Sequence, residues 1–251
     1  MDKRNRLPGI VGMTLVVWVF AICISTASAQ STKPAEVSLA LDSLDVLEIK
    51  AVTEKGGDAV KVKADITTYQ GRRALHMLND DTTMSAKTAS GGESLAIVKS
   101  SDFKDGTIEV DLVGMPRQGA NSESRGFIGI AFRIQANVEK FENFYLRFTN
   151  GRSTDQLRRN HSAQYTSFPD FPWFRLRQEN PGVYESYVDI EERAWTKVKI
   201  VVAGAKAQLY VNGADQPCLI VNDLKLGETH GAVALWTGSD TEAYYSNLRI
   251  K

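Results

Sequence analysis

Cysteine is nearly absent: the chain has two, Cys23 and Cys218, and the first lies in an N-terminal stretch expected to be removed. A single remaining thiol excludes an internal disulfide, so the fold must be held by its core. Histidine is almost as scarce, and no Cys/His metal spacing, glycine-rich phosphate loop or G-x-S-x-G elbow occurs. Those absences exclude zinc sites, P-loop phosphate chemistry and the serine-hydrolase elbow. Charge of one sign is missing too: 30 Lys and Arg balance 30 Asp and Glu. Nothing here grips nucleic acid electrostatically. Nor is there a long apolar run, since IVGMTLVVWVFAICI falls short of the roughly 20 residues that span a bilayer.

That run has a different reading. It follows a basic start (Lys3, Arg4, Arg6) and precedes Ala27-Ser28-Ala29, the order of a secretory signal peptide over residues 1–29, cut before Gln30. The remaining chain carries 27 Lys and Arg against 29 Asp and Glu, and is expected to be secreted or periplasmic, with no membrane attachment after cleavage. Residues 30–44 read as a flexible lead-in. Residues 45–251 read as one domain, within the size of a large all-β unit.

What the chain has in abundance is period-two alternation between turn residues, as in LEIKAVT, RALHML, GTIEVDLVG, GFIGIAFRIQ, NFYLRFTN, WTKVKIVVAG and KAQLYVNG. This predicts an all-β sandwich of two antiparallel sheets. In NFYLRFTN, Phe144, Leu146 and Phe148 fall on one face and Asn143, Tyr145 and Arg147 on the other. In GFIGIAFRI, Ile128, Ile130 and Phe132 oppose Phe127 and Arg133. The apolar sets are the expected core. WFRLRQENPGVYESYVDI, residues 173–190, reads as a hairpin turning at Asn180-Pro181-Gly182. It would place Trp173, Arg175, Arg177 and Glu179 on one strand face and Glu185, Tyr187 and Asp189 on its mate. Residues 151–173, rich in aromatics, form a connection long enough to be functional, expected to fold over a sheet edge and close a pocket.

The succession SSDFKDGTIEVDLVG, GFIGIAFRI, WTKVKIVVAGAKAQLYVNG and HGAVALWTGSDTEAYYSNLRIK resembles the concanavalin A-like lectin/glucanase jelly roll over roughly residues 45–251. It is most similar to the secreted bacterial domains near the 3-keto-disaccharide hydrolase family, a domain of unknown function, and to laminin-G-like modules. The resemblance implies two curved sheets with glycans on the concave one or at its rim.

Flat rings match the C–H faces of sugars, and arginines or carboxylates match their hydroxyls. On that chemistry Asn143, Tyr145, Arg147, Arg158, Tyr165, Trp173, Arg175, Arg177, Tyr187 and Asp189 are the candidate ligand-binding residues. Glu185 and His161 are the candidates for acid/base work. The same side chains also suit an ordinary solvated sheet face. Glu109-Val110-Asp111 resembles the E-x-D strand of family 16 glycoside hydrolases, but the third acid of that motif is missing. No cofactor or metal site is expected. The turns Asp102-Phe103-Lys104-Asp105-Gly106 and Gly238-Ser239-Asp240 offer acids for a structural calcium ion, although single acids in turns are ordinary. Three readings remain open: a carbohydrate-binding domain without a reaction, a glycoside hydrolase or lyase acting on (possibly 3-keto) glycosides, and an adhesion or protein-interaction module.

Overall fold

The alternating segments become strands in the computed structural model, which describes residues 36–52, 62–79 and 92–251. The expected signal peptide, residues 1–29, and the start of the lead-in lie outside the described residues. The strands are β1 (Val37–Leu39), β2 (Leu47–Val52), β3 (Val62–Tyr69), β4 (Arg72–Asn79), β5 (Glu93–Val98), β6 (Gly106–Pro116), β7 (Phe127–Ile134) and β8 (Phe141–Arg147). They continue as β9 (Ala163–Phe168), β10 (Glu185–Ser186), β11 (Thr196–Ala203), β12 (Lys206–Val211), β13 (Leu219–Val221), β14 (Ala232–Thr237) and β15 (Thr241–Ile250). Two short helices, α1 (Gln156–Arg159) and α2 (Trp173–Glu179), flank β9.

Two antiparallel sheets stack face to face. One has eight strands in the order β13-β12-β11-β6-β15-β4-β3, with β1 also on β15; the other has seven, β10-β9-β8-β7-β14-β5-β2. The segment read as a flexible lead-in therefore contributes a strand: Val37–Leu39 pairs antiparallel with Leu248–Ile250. Ala35–Lys251 is one compact unit.

The core follows the alternation. Ile128, Ile130 and Phe132 of β7, with Phe144 and Leu146 of β8 and Phe148 after it, are all buried between the sheets. Phe132 and Phe144 stack with ring centroids 6.1 Å apart. Each fully buried side chain of this size contributes about 1.5–3 kcal/mol of transfer free energy.

Two buried charges rivet loops to this frame. Arg133, fully buried at a β7 irregularity where its φ is +53°, donates to the carbonyls of Lys104, Gly204 and Gly227 and to Asp105. Glu142 of β8 points inward, accepting from the Tyr165 hydroxyl at 2.6 Å and the Leu226 amide at 2.8 Å. Burial raises its carboxyl pKa above the ordinary value, and those hydrogen bonds oppose the rise.

Candidate functional site

The outer face of the seven-stranded sheet has a composition unlike a solvated one. Register aligns Glu185 with Gln164, Gln164 with Tyr145, Tyr145 with Gly129, Gly129 with Trp236 and Trp236 with Leu95. This single transverse row crosses β10, β9, β8, β7, β14 and β5. Its middle is glycine for a geometric reason: a Cβ on Gly129 would meet the Phe144 carbonyl oxygen at 2.0 Å and Tyr145 Cα at 2.6 Å. Across that gap the rings of Tyr145 and Trp236 stack, centroids 4.9 Å apart, and Phe127 meets Tyr145 edge-on at 6.2 Å. Tyr145 and Trp236 are only 5% and 4% exposed, so the face is sheltered rather than an open platform. Ala131 and Ala234 continue its low floor beside them.

At the β10 end of the row the face turns polar. Arg147 donates from Nη2 to the Tyr145 hydroxyl and to Gln164 Oε1, each at 3.0 Å, and from Nη1 to the His161 carbonyl at 2.9 Å. Arg177 grips Glu185 with two parallel bonds, Nε to Oε1 at 2.8 Å and Nη2 to Oε2 at 2.7 Å. The His161 Nε2 lies 3.1 Å from Glu185 Oε1, and Arg147 Nη1 lies 4.0 Å from Oε2. Guanidiniums of both arginines sit near the half-buried Trp173 ring, that of Arg177 at 4.6 Å and that of Arg147 at 5.8 Å from its centroid. Six residues, Tyr145, Arg147, His161, Trp173, Arg177 and Glu185, thus converge from β8, the α1–β9 turn, α2 and β10.

The convergence depends on a helix where a hairpin strand was expected. Residues 173–179 form α2, not the first strand of a 173–190 hairpin. Pro172 precedes the segment and Pro181-Gly182 follows it, punctuation that suits a short helix as well as a strand. Seven residues are too few for periodicity to separate the two. In the helix, positions four apart share a side, so Trp173 and Arg177 meet each other while Leu176 is buried as the anchor. Arg175 therefore leaves the predicted face. It bonds Glu179 at 2.8 Å and the Asp170 carbonyl, and lies over Phe171.

Other expected ligand-binding residues are elsewhere. Tyr165 points into the core, bound to Glu142 and to the Lys225 amide. The 151–173 connection that was to close a pocket holds α1 and the sheet strand β9. Arg158 reaches Thr149 Oγ1 at 3.3 Å. Asn143 shares the outer face, buried one pleat from Tyr145. Beyond Ser186 the chain leaves the sheet, so Tyr187 is exposed against Arg159 and Asp189 pairs with Arg152 at 3.0 Å. Sequence reading missed Gln164 and Trp236. Both lie on alternating strands, where AQYTSF and AVALWT place them opposite core residues.

Electrostatics set what the cluster can do. Burial lowers the His161 pKa below its ordinary value, Glu185 opposing and Arg177 and Arg147 adding to the drop, so the imidazole is neutral near pH 7. Its Nε2 lies 3.1 Å from Glu185 Oε1, and its Nδ1 has no protein partner among the described residues. Glu185 has both oxygens engaged by Arg177 in a two-bond fork. Glu93 of β5 accepts from Trp236 Nε1 at 2.8 Å and, like Glu185 from the β10 side, acts electrostatically on Tyr145.

The E-x-D pair lies on the other sheet. Asp111 accepts from Asn247 at 2.8 Å and is paired with Arg72 and Lys197, each at 3.3 Å, while Glu109 lies 3.7 Å from Lys251. The aromatic rings of that face are used against one another, Tyr244 stacking on Tyr69 and on His76 at 4.1 and 4.7 Å. The turn acids offered for a calcium ion are each paired with a cationic or imidazole side chain, Asp102 with His230, Asp105 with Arg133 and Asp240 with Arg117. No group of three or more metal-ligating side chains occurs among the described residues.

No protein-family model matches the chain, and no curated protein matches it in sequence. Solved structures do resemble it. They include carbohydrate binding module CBM66 from Bacillus subtilis, at 15% identity over 80% of this chain and 95% of that one with a TM-score of 0.51. A protein of unknown function with a galectin-like fold, also from Bacillus subtilis, aligns at 10% identity over 85% and 93% with a TM-score of 0.53. The exoplasmic/lumenal domain of VIP36, in its Ca2+/Man3GlcNAc-bound form, aligns at 11% over 84% and 86% with a TM-score of 0.50. At such identities the likeness shows the fold, which is the concanavalin A-like jelly roll.

Proposed function

We propose that this chain is an exported carbohydrate-binding domain, which takes its ligand at the β10 end of the seven-stranded sheet's outer face. The observation that carries this reading is the convergence of Trp173, Arg177 and His161 over Arg147, Tyr145 and Glu185 from four separate parts of the chain. A ring with arginine forks fixed beside it complements a sugar's C–H face and its hydroxyls. Two of the structural neighbours point the same way: one is a carbohydrate binding module and another was captured with a saccharide. Export follows from the expected signal peptide, and the site of action is then outside the cytoplasm.

Binding is favoured over glycoside hydrolysis because, among the described residues, no second carboxyl contacts the Glu185 cluster directly. Glycosidases work with two carboxyls about 5–10 Å apart. Glu185 is held by cations, Glu142 is turned into the core, Asp189 pairs with Arg152, Glu93 is bound to Trp236 Nε1, and Asp111 and Glu109 belong to the other sheet. A second reading is favoured by one observation: the His161 imidazole lies 3.1 Å from Glu185 with its Nδ1 unpartnered among the described residues, and burial lowers its pKa, which suits a base for lyase-type proton abstraction.

A glycan array with the purified protein tests the first reading, and chromatography of the incubated glycans tests the second. Retention with intact glycans supports a binding domain. Shortened or unsaturated products would move the assignment to the lyase. A folded protein that retains no glycan overturns both.

A further inference from the structure

Resting on the carbohydrate reading, we infer that the saccharide is acidic, with a uronate-type carboxylate received by Arg177 at the mouth of the Arg147–Glu185 cluster. Two guanidiniums share one carboxylate there, so at least one positive charge is left over within the cluster. The surplus is sheltered: Arg147 is 5% and Glu185 6% exposed. A desolvated charge without a counter-ion is costly, and an anionic ligand group removes that cost where a neutral hydroxyl cannot. Groups on neighbouring elements do not reverse the sign. Arg125 and Arg158 add positive charge, against Glu123 paired with Arg125, Asp155 at the exposed α1 cap, and Glu93, which acts on Tyr145 from the far end of the face while bound to Trp236 Nε1. The chain as a whole is neutral, so this surplus is local.

Geometry names the receiving group. Arg177 spends Nε and Nη2 on Glu185, while its Nη1 has no protein partner among the described residues. Its side chain is 34% exposed, the most open member of the cluster's charged groups. The Glu185 fork and the Trp173 ring at 4.6 Å fix the guanidinium plane. A ligand carboxylate can accept from Nη1 without breaking either contact. His161 Nδ1 then remains for a sugar hydroxyl to donate to.

Affinity electrophoresis with polygalacturonate, alginate and hyaluronan, each beside its carboxyl-reduced polymer, tests this inference. At least one acidic polymer should retard the protein about tenfold more strongly than its reduced form, the worth of one charge-assisted contact. That retardation should weaken with added salt. Arg177→Gln should abolish the preference, and Arg177→Lys should restore part of it, with thermal melting confirming that both variants fold. Equal retardation by acidic and reduced polymers would overturn the inference and leave the carbohydrate reading standing. Retardation by none of the six polymers would overturn it too, and retention on a neutral-glycan array then decides separately whether the carbohydrate reading survives.

Discussion

Arg177 and Glu185 lie side by side as a planar fork, 2.8 and 2.7 Å between paired atoms, although a helix end and a turn separate them in the chain. This pair fastens α2 to the edge strand β10. Without Glu185 nothing charged would orient Arg177, and without Arg177 a nearly buried carboxylate would depend on His161 and a more distant Arg147.

Truncating Arg177 to Ala should therefore destabilise the domain by about 2 kcal/mol. That is less than the 3–5 kcal/mol of a wholly buried pair, because the arginine is partly solvated. Urea unfolding measures it. Arg177→Lys should recover only part of the loss, since an ammonium cannot make two parallel bonds. An unchanged midpoint in Arg177→Ala would mean that the fork does not hold the helix in place.

Gly129→Ala should cost about 3 kcal/mol, because the new methyl collides with backbone atoms of β8 that cannot move without breaking the ladder. The Tyr145–Trp236 stack spans that point, so near-ultraviolet circular dichroism should change along with the urea midpoint. A variant with parent-like stability and spectrum would show that the strands separate easily there.

Much of the fold could be read from alternation, because β7, β8, β11 and β12 each bury one full face and a register slip would expose it. Phe144, Leu146 and Ile130 occupy their expected side for that reason. Tyr145, Arg147 and Glu185 likewise share the expected outer face, and the register explains why. Trp173–Glu179 defeated the same argument because seven residues satisfy both periods, and the deciding contact, Leu176 in the core, is tertiary. Tyr165 was misplaced for a related reason: its strand was read as loop, so no parity was assigned to it. Trp236 could be assigned by alternation to the face opposite the core, but its stacking on Tyr145 arises only when β14 is laid beside Gly129.

Acid should weaken the domain partly through His161. Its pKa is lowered in the folded state, so the unfolded chain takes up the proton first. Stability then rises with pH below about 6.5 and is lost as pH falls through that value. Glu142 acts with the opposite sign: its raised pKa makes stability fall as pH climbs above the ordinary carboxyl range. The readout is therefore the difference between parent and His161→Gln in urea midpoints from about pH 5 to 7. The variant should show the flatter rise, and parallel curves would remove His161 as the source.

Phe144→Ala and Trp173→Ala should separate frame from site. Phe144 is 1% exposed and stacks on Phe132 between the sheets, so its truncation should cost about 3–5 kcal/mol, visible as a large drop in Tm. Trp173 is half-buried and meets the arginine pair, so its loss should cost about 1 kcal/mol of packing and cation–π contact. Glycan retention should fall much further than that stability change explains. A Tm loss in Trp173→Ala as large as that of Phe144→Ala would make the indole part of the frame, and the ligand would then have to be sought farther along the face, toward Tyr145 and Trp236.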